Sequence, residues 1–354
     1  MNDREHEAEF RELLDEARKL PRSIEPPRDL WPGIRQRISR GNRETGSGNR
    51  WLISRRWVQL AAAAVLLLVV ARSLIPRQGW VVEREMGRPL VGAQLLAAAG
   101  RVRVGEWIVT DDSSVAVVQV GSIGRVEVKP RSRVQVLAAR PTDHRLALAR
   151  GSIDAKVDAP PRLFFVETPS GTAVDLGCAY TLAVDSLGSS WLHVTGGYVE
   201  VQWGGRRSIV PLGAIAETRP GVGPGVPYMA DAPPALRRAL EAFDFGRGGK
   251  AAVRAALPAA RPEDALSLWH LLFRVEAGER GAIYDRLASL VPPPPGVTRA
   301  AALGLEPATL ATYWNTIRRI AWRREILRGI RDIDPRTGTA RPMQTSPGAP
   351  ASHR

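Results

Sequence analysis

The chain has 354 residues, enough for about two or three domains, with 50 lysines and arginines against 36 acidic residues and a formal net charge of +14. The positive excess is arginine dispersed along the chain, a distribution that does not favour nucleic-acid binding. A single cysteine, Cys178, excludes an internal disulfide framework and a zinc site made of several cysteines.

The first forty residues predict two short amphipathic helices. Residues 3–20 place apolar side chains at helical spacing, and the Leu20-Pro21 step ends that pattern. A second helix is predicted from Asp29. So small a segment buries little surface by itself, so it is interpreted as partner-binding, membrane-surface or a weakly ordered tether. The candidate partner-binding residues are Phe10, Leu13, Leu14, Leu30, Trp31, Ile34 and Ile38.

Residues 20–38 carry the first resemblance. They match the pattern PxxIxPPxDLWxxIxxRI, and so resemble the segment before the membrane span in bacterial membrane proteins related to anti-sigma factors. This resemblance implies that residues 1–40 regulate a cytoplasmic sigma factor. Zinc-binding members have a His-x3-Cys-x2-Cys motif upstream, whereas this chain has His6 and no cysteine there. Zinc-dependent chemistry is therefore not expected.

Residues 57–75 form an apolar block after a flexible basic linker, residues 41–56. As a helix the block would be about 28 Å long, close to the hydrocarbon thickness of a bilayer. Basic residues cluster before it, which predicts a cytoplasmic N-terminus and a periplasmic C-terminal part. The sequence therefore predicts a single-pass protein of the bacterial inner membrane, with lipid as one partner.

Residues 79–220 are predicted to be all-β. Short runs alternate polar with β-branched or apolar residues, and glycines separate them as turns. Many short strands in series favour a β-solenoid or a two-sheet sandwich. The predicted strands are 101–104, 106–110, 114–120, 125–128, 133–137, 145–148, 163–166, 173–176, 180–184, 191–194, 197–201 and 208–210.

Five stretches in this region resemble, in order, the motifs of the FecR domain, a periplasmic signal sensor. They are 105–110 (vGdxIxT), 126–136 (vxlxpxsxvxl), 146–153 (lxLxxGxv), 165–184 (fxVxTPxGxaxxxGTxFxV) and 191–201 (xVxVxxGxVxV). The resemblance implies a sensor of an envelope signal. Its motif residues here are Thr168, Pro169, Gly171, Gly177, Cys178 and Tyr180, of which Cys178 replaces the usual threonine and Tyr180 the usual phenylalanine.

Candidate chemistry is sparse. Cys178, His193 and Asp175 could form a nucleophile, a base and an orienting acid, but the apolar surroundings of Cys178 favour a buried core residue. Core positions are also expected for Trp107, Trp191 and Trp203, with a sugar- or peptide-binding face as the alternative. We expect no enzyme activity, cofactor or metal site.

Residues 233–333 are predicted to be helical, with helices at 234–243, 262–277, 279–291 and 305–333, and residues 334–354 to be a disordered tail. The last helix carries a basic face, which could be a solvated surface, a contact with anionic lipid or a site for an acidic partner. That face comprises Arg318, Arg319, Arg323, Arg324, Arg328 and Arg331.

Together these features predict a mixed, multi-domain fold: short N-terminal helices, one transmembrane helix, an all-β FecR-like domain and a C-terminal helical region. The predicted function is a single-pass signalling protein with a periplasmic sensor and an anti-sigma-like segment. The alternative is a membrane-anchored envelope scaffold that binds polysaccharide, peptidoglycan or a periplasmic protein, without sigma-factor control. Direct nucleic-acid binding is not expected in either case.

Overall fold

The computed structural model describes residues 79–331, with side chains to residue 320. The chain divides into two compact units, Met1–Pro76 and Arg77–Arg354, and every described residue belongs to the second. Its strands are β1 (Gly79–Met86), β2 (Leu90–Val91), β3 (Gln94–Leu95), β4 (Ala99–Arg103), β5 (Trp107–Val109), β6 (Val115–Val120), β7 (Gly124–Val128), β8 (Arg133–Arg140), β9 (Asp143–Val157), β10 (Phe164–Thr168), β11 (Gly171–Asp175), β12 (Ala179–Val184), β13 (Ser190–Gly196), β14 (Tyr198–Trp203), β15 (Arg206–Pro211), β16 (Ala214–Arg219), β17 (Gly223–Pro224) and β18 (Tyr228–Met229).

Six helices follow the strands. They are α1 (Pro234–Asp244), α2 (Gly249–Ala259), α3 (Ala265–Leu272), α4 (Ala277–Leu290), α5 (Arg299–Leu303) and α6 (Pro307–Arg331), with a short 3-10 turn at Pro262–Asp264. Each predicted strand overlaps one of the observed strands. The predicted helix 262–277 is shorter in the structure, and α2 and α5 were not predicted.

Alternation of side chains explains the strands. In β12 the residues Tyr180, Leu182 and Val184 are buried, while the residues between them are only partly buried. This period of two places one face of the sheet in the core. The same alternation recurs in β6 and β8, where valines fill the buried positions.

The strands lie in two rows that share β9. One row runs β4-β1-β6-β7-β9-β12-β13-β16, with β17 and β18 both on β16, and the other runs β3-β2-β5-β8-β9-β10-β11-β14-β15. All neighbours are antiparallel except β9 and β10. Within β9, residues up to Arg150 pair with β8, and residues from Gly151 pair with β12. Gly151 is therefore the point at which the strand passes from one row to the other.

Strand β15 ends its row, and helix α3 covers its outer edge. Among the described strands, β15 pairs only with β14. The N–H of Ile209 on the outer edge donates to Nε2 of His270 at 3.1 Å, and the carbonyl of Arg207 accepts from Nη2 of Arg274 at 3.2 Å. Side chains of the helical part thus occupy hydrogen-bonding positions that a neighbouring strand would otherwise take.

Helix α3 lies between the strands and the other helices. All eight of its residues, Ala265–Leu272, are buried, as expected for a helix that is apolar all round. Leu266 belongs to the core of the strands, while Leu268, Leu271 and Leu272 belong to the core of the helices. The two cores therefore meet at α3.

The predicted fold class, a mixed, multi-domain chain with an all-β domain after one transmembrane helix, is wrong. The structure instead shows a large, mostly β unit to which the C-terminal helices belong. Within residues 79–331, no helix combines the length and apolarity that crossing a membrane requires. The predicted span, 57–75, the linker and the N-terminal helices lie outside the described residues, and the inner-membrane location stays a prediction.

Helix α6 has an apolar face over its described part. Tyr313 and Ile317 are buried, and Ile320 is half-buried. Arg318 and Arg319 are exposed on the other side. The remaining arginines of the predicted basic face, Arg323, Arg324, Arg328 and Arg331, lie beyond the described side chains.

Candidate functional site

Residues 168–171, which belong to the stretch that resembles the FecR domain, form a turn in which Ser170 and Gly171 are buried and Pro169 is exposed. Thr168 and Gly171 pair at the end of the β10–β11 hairpin, and the Thr168 hydroxyl donates to the Gly171 carbonyl at 2.8 Å. Ser170 is fully buried, and its hydroxyl lies 2.9 Å from that of Ser190 and 2.5 Å from that of Thr218. Hydroxyl groups thus join this turn to β13 and β16, which makes its role structural.

Pro169 in the same turn packs closely on the β12–β13 loop. Gly188 has a φ of +83°, and a Cβ added there would lie 3.0 Å from Cβ of Pro169. The proline of the motif and the glycine of the loop therefore fit one another.

The second part of the motif is organised by Asp175. One carboxylate oxygen accepts the N–H of Gly177 at 2.6 Å, and the other accepts the thiol of Cys178 at 2.6 Å. Gly177 has a φ of +87°, a conformation that favours glycine. Cys178 therefore donates to Asp175 from the position that the resemblance gives to a threonine, and a hydroxyl could make the same bond. Tyr180 is fully buried in β12 beside this turn.

The geometry opposes a nucleophilic Cys178. Burial and the neighbouring Asp175 carboxylate raise the pKa of the thiol, and burial raises the pKa of Asp175. His193 lies on β13 with its ring centroid 5.8 Å from that of Trp191, and no hydrogen bond among the described residues joins it to Cys178 or Asp175. The thiolate form that a nucleophile requires is therefore disfavoured.

Trp191 and Trp203 are not core residues, and Trp107 is only half-buried. Trp191 and Trp203 are 37% and 41% exposed, and half-buried Trp107 lies under the guanidinium of Arg133, 4.2 Å from the ring centroid. The expected core positions are wrong for Trp191 and Trp203. The three residues stand on β5, β13 and β14, and β14 belongs to the other row from β13.

A cavity of about 770 Å³ opens beside the covered edge of β15. The β14–β15 hairpin forms one wall, with Gly205, Arg206, Arg207 and Ile209. The end of α1 and the C-terminal half of α3 with the residues after it form the other, with Phe243, Asp244, Trp269, His270, Phe273 and Arg274. A volume of this size is typical of a small-molecule site.

Arg274 lines this cavity and joins several of the segments around it by hydrogen bonds. It is almost fully buried and donates to the carbonyls of Pro224, Arg207 and Gly225, to the Ser208 hydroxyl and to the Asp244 carboxylate. Burial lowers the pKa of Arg274 to about 10, and the charge of Asp244 opposes this shift. Arg274 is therefore cationic at neutral pH, with its charge committed to the protein.

Asp244 joins three parts of the cavity wall. Its carboxylate accepts from Arg206, from Arg274 at 2.9 Å and from the N–H of Val226 at 2.6 Å. Burial raises the pKa of Asp244, while the two guanidinium groups favour its charged form. The result is a buried acid shared by two arginines.

His270 is held as a neutral imidazole. Nε2 accepts the Ile209 N–H, so the proton lies on Nδ1, which is 2.9 Å from the carbonyl of Leu266. Burial, helped by nearby Arg274 and opposed by the bond to Leu266, lowers the pKa of His270 to about 3. At neutral pH the cavity therefore carries three guanidinium charges against one carboxylate.

None of these cavity residues was predicted from the sequence. The sequence feature that could have pointed to them is local. Trp269 and His270 lie in an otherwise apolar helix, and Arg274 lies two residues after that helix ends. No periodicity shows that this helix packs against β15. The candidate partner-binding residues Phe10, Leu13, Leu14, Leu30, Trp31, Ile34 and Ile38 lie outside the described residues.

No family model matches the sequence, and no curated protein matches it either. Two solved structures of a candidate anti-sigma factor from Parabacteroides distasonis are similar over part of their length, with 14% identity and TM-scores of 0.32 and 0.31. Each match covers 38% of this chain and 63% or 62% of the other. The chain thus spans less than two thirds of those proteins.

Proposed function

We propose that this protein regulates a bacterial sigma factor, with the strand-rich unit as the sensor and residues 1–40 as the segment that binds the sigma factor. Two resemblances support the proposal. Residues 20–38 resemble a segment of proteins related to anti-sigma factors, and residues 105–201 resemble the FecR sensor domain. The two lie on the same chain in the order that such a regulator needs.

One structural observation carries most weight. The most diagnostic stretch of the resemblance, 165–184, runs through three successive strands, β10, β11 and β12. Its threonine, its glycines and its cysteine make the hydrogen bonds and the left-handed turn that hold those strands in place. These residues of the stretch 165–184 therefore have structural roles, as expected if the resemblance to the FecR domain reflects a shared fold.

The test is co-purification of the full-length chain with each sigma factor of its source bacterium. We expect one sigma factor to be retained, and transcription that depends on it to fall when the chain is co-expressed. Trp31→Ala should weaken retention at least about tenfold, because buried tryptophans commonly dominate helix-in-groove contacts. Leu187→Ala, at a position 83% exposed in the strand-rich unit, is the control.

Retention of no sigma factor would overturn the proposal. In that case, retention of the chain on peptidoglycan or capsule in a parallel pull-down would favour the envelope scaffold. Equal retention by wild type and by Trp31→Ala would remove residues 1–40 from the binding surface.

A further inference from the structure

We propose that the cavity beside β15 binds a small organic anion, a carboxylate or phosphate carried on an apolar ring. The inference concerns the cavity alone and does not depend on sigma-factor binding. It starts from the charge of the residues that line the walls, which are three arginines, Arg206, Arg207 and Arg274, and one acid, Asp244. Glu200, outside the lining, also pairs with Arg207. His270 adds no charge at neutral pH because burial keeps it neutral.

The arginines differ in how far the protein uses them. Arg274 donates to five acceptors, so it holds the wall together. Arg206 makes one side-chain contact, with Asp244, and its side chain is 27% exposed. Arg207 is 66% exposed and lies 3.5 Å from Glu200, a buried acid that also pairs with Arg162. Arg206 and Arg207 therefore have N–H groups left to bind an incoming anion.

The apolar residues of the site, Trp269 and Phe273, belong to the helical wall rather than to the hairpin that carries Arg206 and Arg207. Phe273 is 44% exposed and its ring centroid is 4.6 Å from that of Trp269. Trp269 is 9% exposed, and its indole N–H is buried without a hydrogen-bond partner among the described residues. An aromatic ring on the ligand would stack on Phe273.

The hairpin turn leaves room for such a ligand. Gly204 and Gly205 have positive φ values of +52° and +82°, and a Cβ added at either would meet nothing within 4 Å. Gly205, which lines the cavity, therefore has open space beside it. An anionic head reaching Arg206 and Arg207 would keep its ring over Phe273.

Calorimetric titration of the full-length chain tests this proposal with phenyl phosphate, benzoate, inorganic phosphate and benzyl alcohol. We expect phenyl phosphate or benzoate to bind saturably at one site, and benzyl alcohol at least about tenfold more weakly because it lacks the charge. Inorganic phosphate should also bind at least about tenfold more weakly than phenyl phosphate, because it lacks the ring.

Two variants locate the binding. Phe273→Ala should weaken phenyl phosphate about five- to tenfold, and Arg206→Gln at least about tenfold. Leu187→Ala and Arg125→Gln, both at exposed positions away from the cavity wall, should leave affinity within about twofold. If Arg206→Gln fails to fold, Phe273→Ala and the ligand series decide. Absence of saturable anion binding, or equal affinity in Phe273→Ala and wild type, would overturn the proposal.

Discussion

Arg274 and Asp244 show how one buried ion pair can fix the relation between two parts of a fold. The guanidinium reaches carbonyls at positions 207, 224 and 225, and the carboxylate holds the N–H of Val226. These hydrogen-bond partners belong to strands and loops. Arg274 itself follows α3, and Asp244 is the last residue of α1. Buried charges are tolerated when their hydrogen bonds are this complete.

Replacing Arg274 should therefore be costly. We expect Arg274→Met to lower the free energy of unfolding by about 3 kcal/mol, because it leaves Asp244 with one arginine and strips three carbonyls of a donor. Urea denaturation provides the measurement. Arg125→Gln, on an exposed face of β7, should change it by less than about 0.5 kcal/mol. A loss equally small in Arg274→Met would contradict the role given to this residue.

His270 predicts a pH dependence of stability. Its pKa is about 3 in the folded chain, below the ordinary value of 6.5, so between these values the unfolded chain binds more protons. Stability from this group is fully present above pH 6.5 and is lost as the pH falls toward 3, by up to about 1.4 kcal/mol per pH unit.

The check is urea denaturation of wild type and His270→Gln at pH values from 7 to 4. The variant should show a shallower fall in unfolding free energy, by about 1 kcal/mol per pH unit, because its amide does not titrate. His193→Gln should flatten the curve less, since that ring is only half-buried. Parallel curves for wild type and His270→Gln would show that the ring has the same pKa in the folded and the unfolded chain.

At the level of elements, β9 depends on one glycine. Gly151 has a φ of +88°, and an added Cβ would lie 2.4 Å from Cα of Ser132 and 2.7 Å from the carbonyl of Arg131. Those contacts are with backbone atoms, which cannot move aside without separating β8 from β9. The glycine thus permits both the bend of β9 and the close approach of β8.

Gly151→Ala should cost several kcal/mol or prevent folding. Gly105→Ala is a matched control because Gly105 has a similar φ of +89° and nothing within 4 Å of an added Cβ. The control measures backbone strain alone, which should be about 1–2 kcal/mol. Thermal unfolding of both variants separates the cost of backbone strain from the cost of steric crowding. Equal losses of stability in the two variants would show that crowding at Ser132 is not significant.

The sequence predicted elements better than it predicted contacts. Alternation located the strands from β4 to β15, since each buries one face, and helical periodicity located α1, α4 and α6. It missed the first three strands, the last three strands, α5 and also α2, which contains Pro258. Docking of α3 on β15 could not be predicted, because it depends on His270 and Arg274 meeting backbone groups more than sixty residues earlier.

At the scale of the whole described unit, the strands and the C-terminal helices share residues between their cores, so we expect them to fold together. Ile215 and Tyr228 from the last strands, with Val226 from the loop between β17 and β18, lie in the core of the helices, and Leu266 from α3 lies in the core of the strands. Removal of the helices would expose the edge of β15 and the apolar faces that α3 covers. An exposed strand edge beside apolar surface promotes association between chains.

A chain ended after Ala232 should therefore aggregate or lose most of its stability, although every strand is retained. Size-exclusion chromatography with light scattering compares it with the full-length chain. A monomeric, stably folded truncated chain would show that the strands do not need the helices.

The most direct test of joint folding is hydrogen–deuterium exchange, followed by mass spectrometry, across a urea series. The account predicts that peptides from β15 and from α1 and α3 lose protection at the same urea concentration. It also predicts that Arg274→Met shifts all of them together. Loss of protection in α1 and α3 at a lower urea concentration, with β15 still protected, would contradict it.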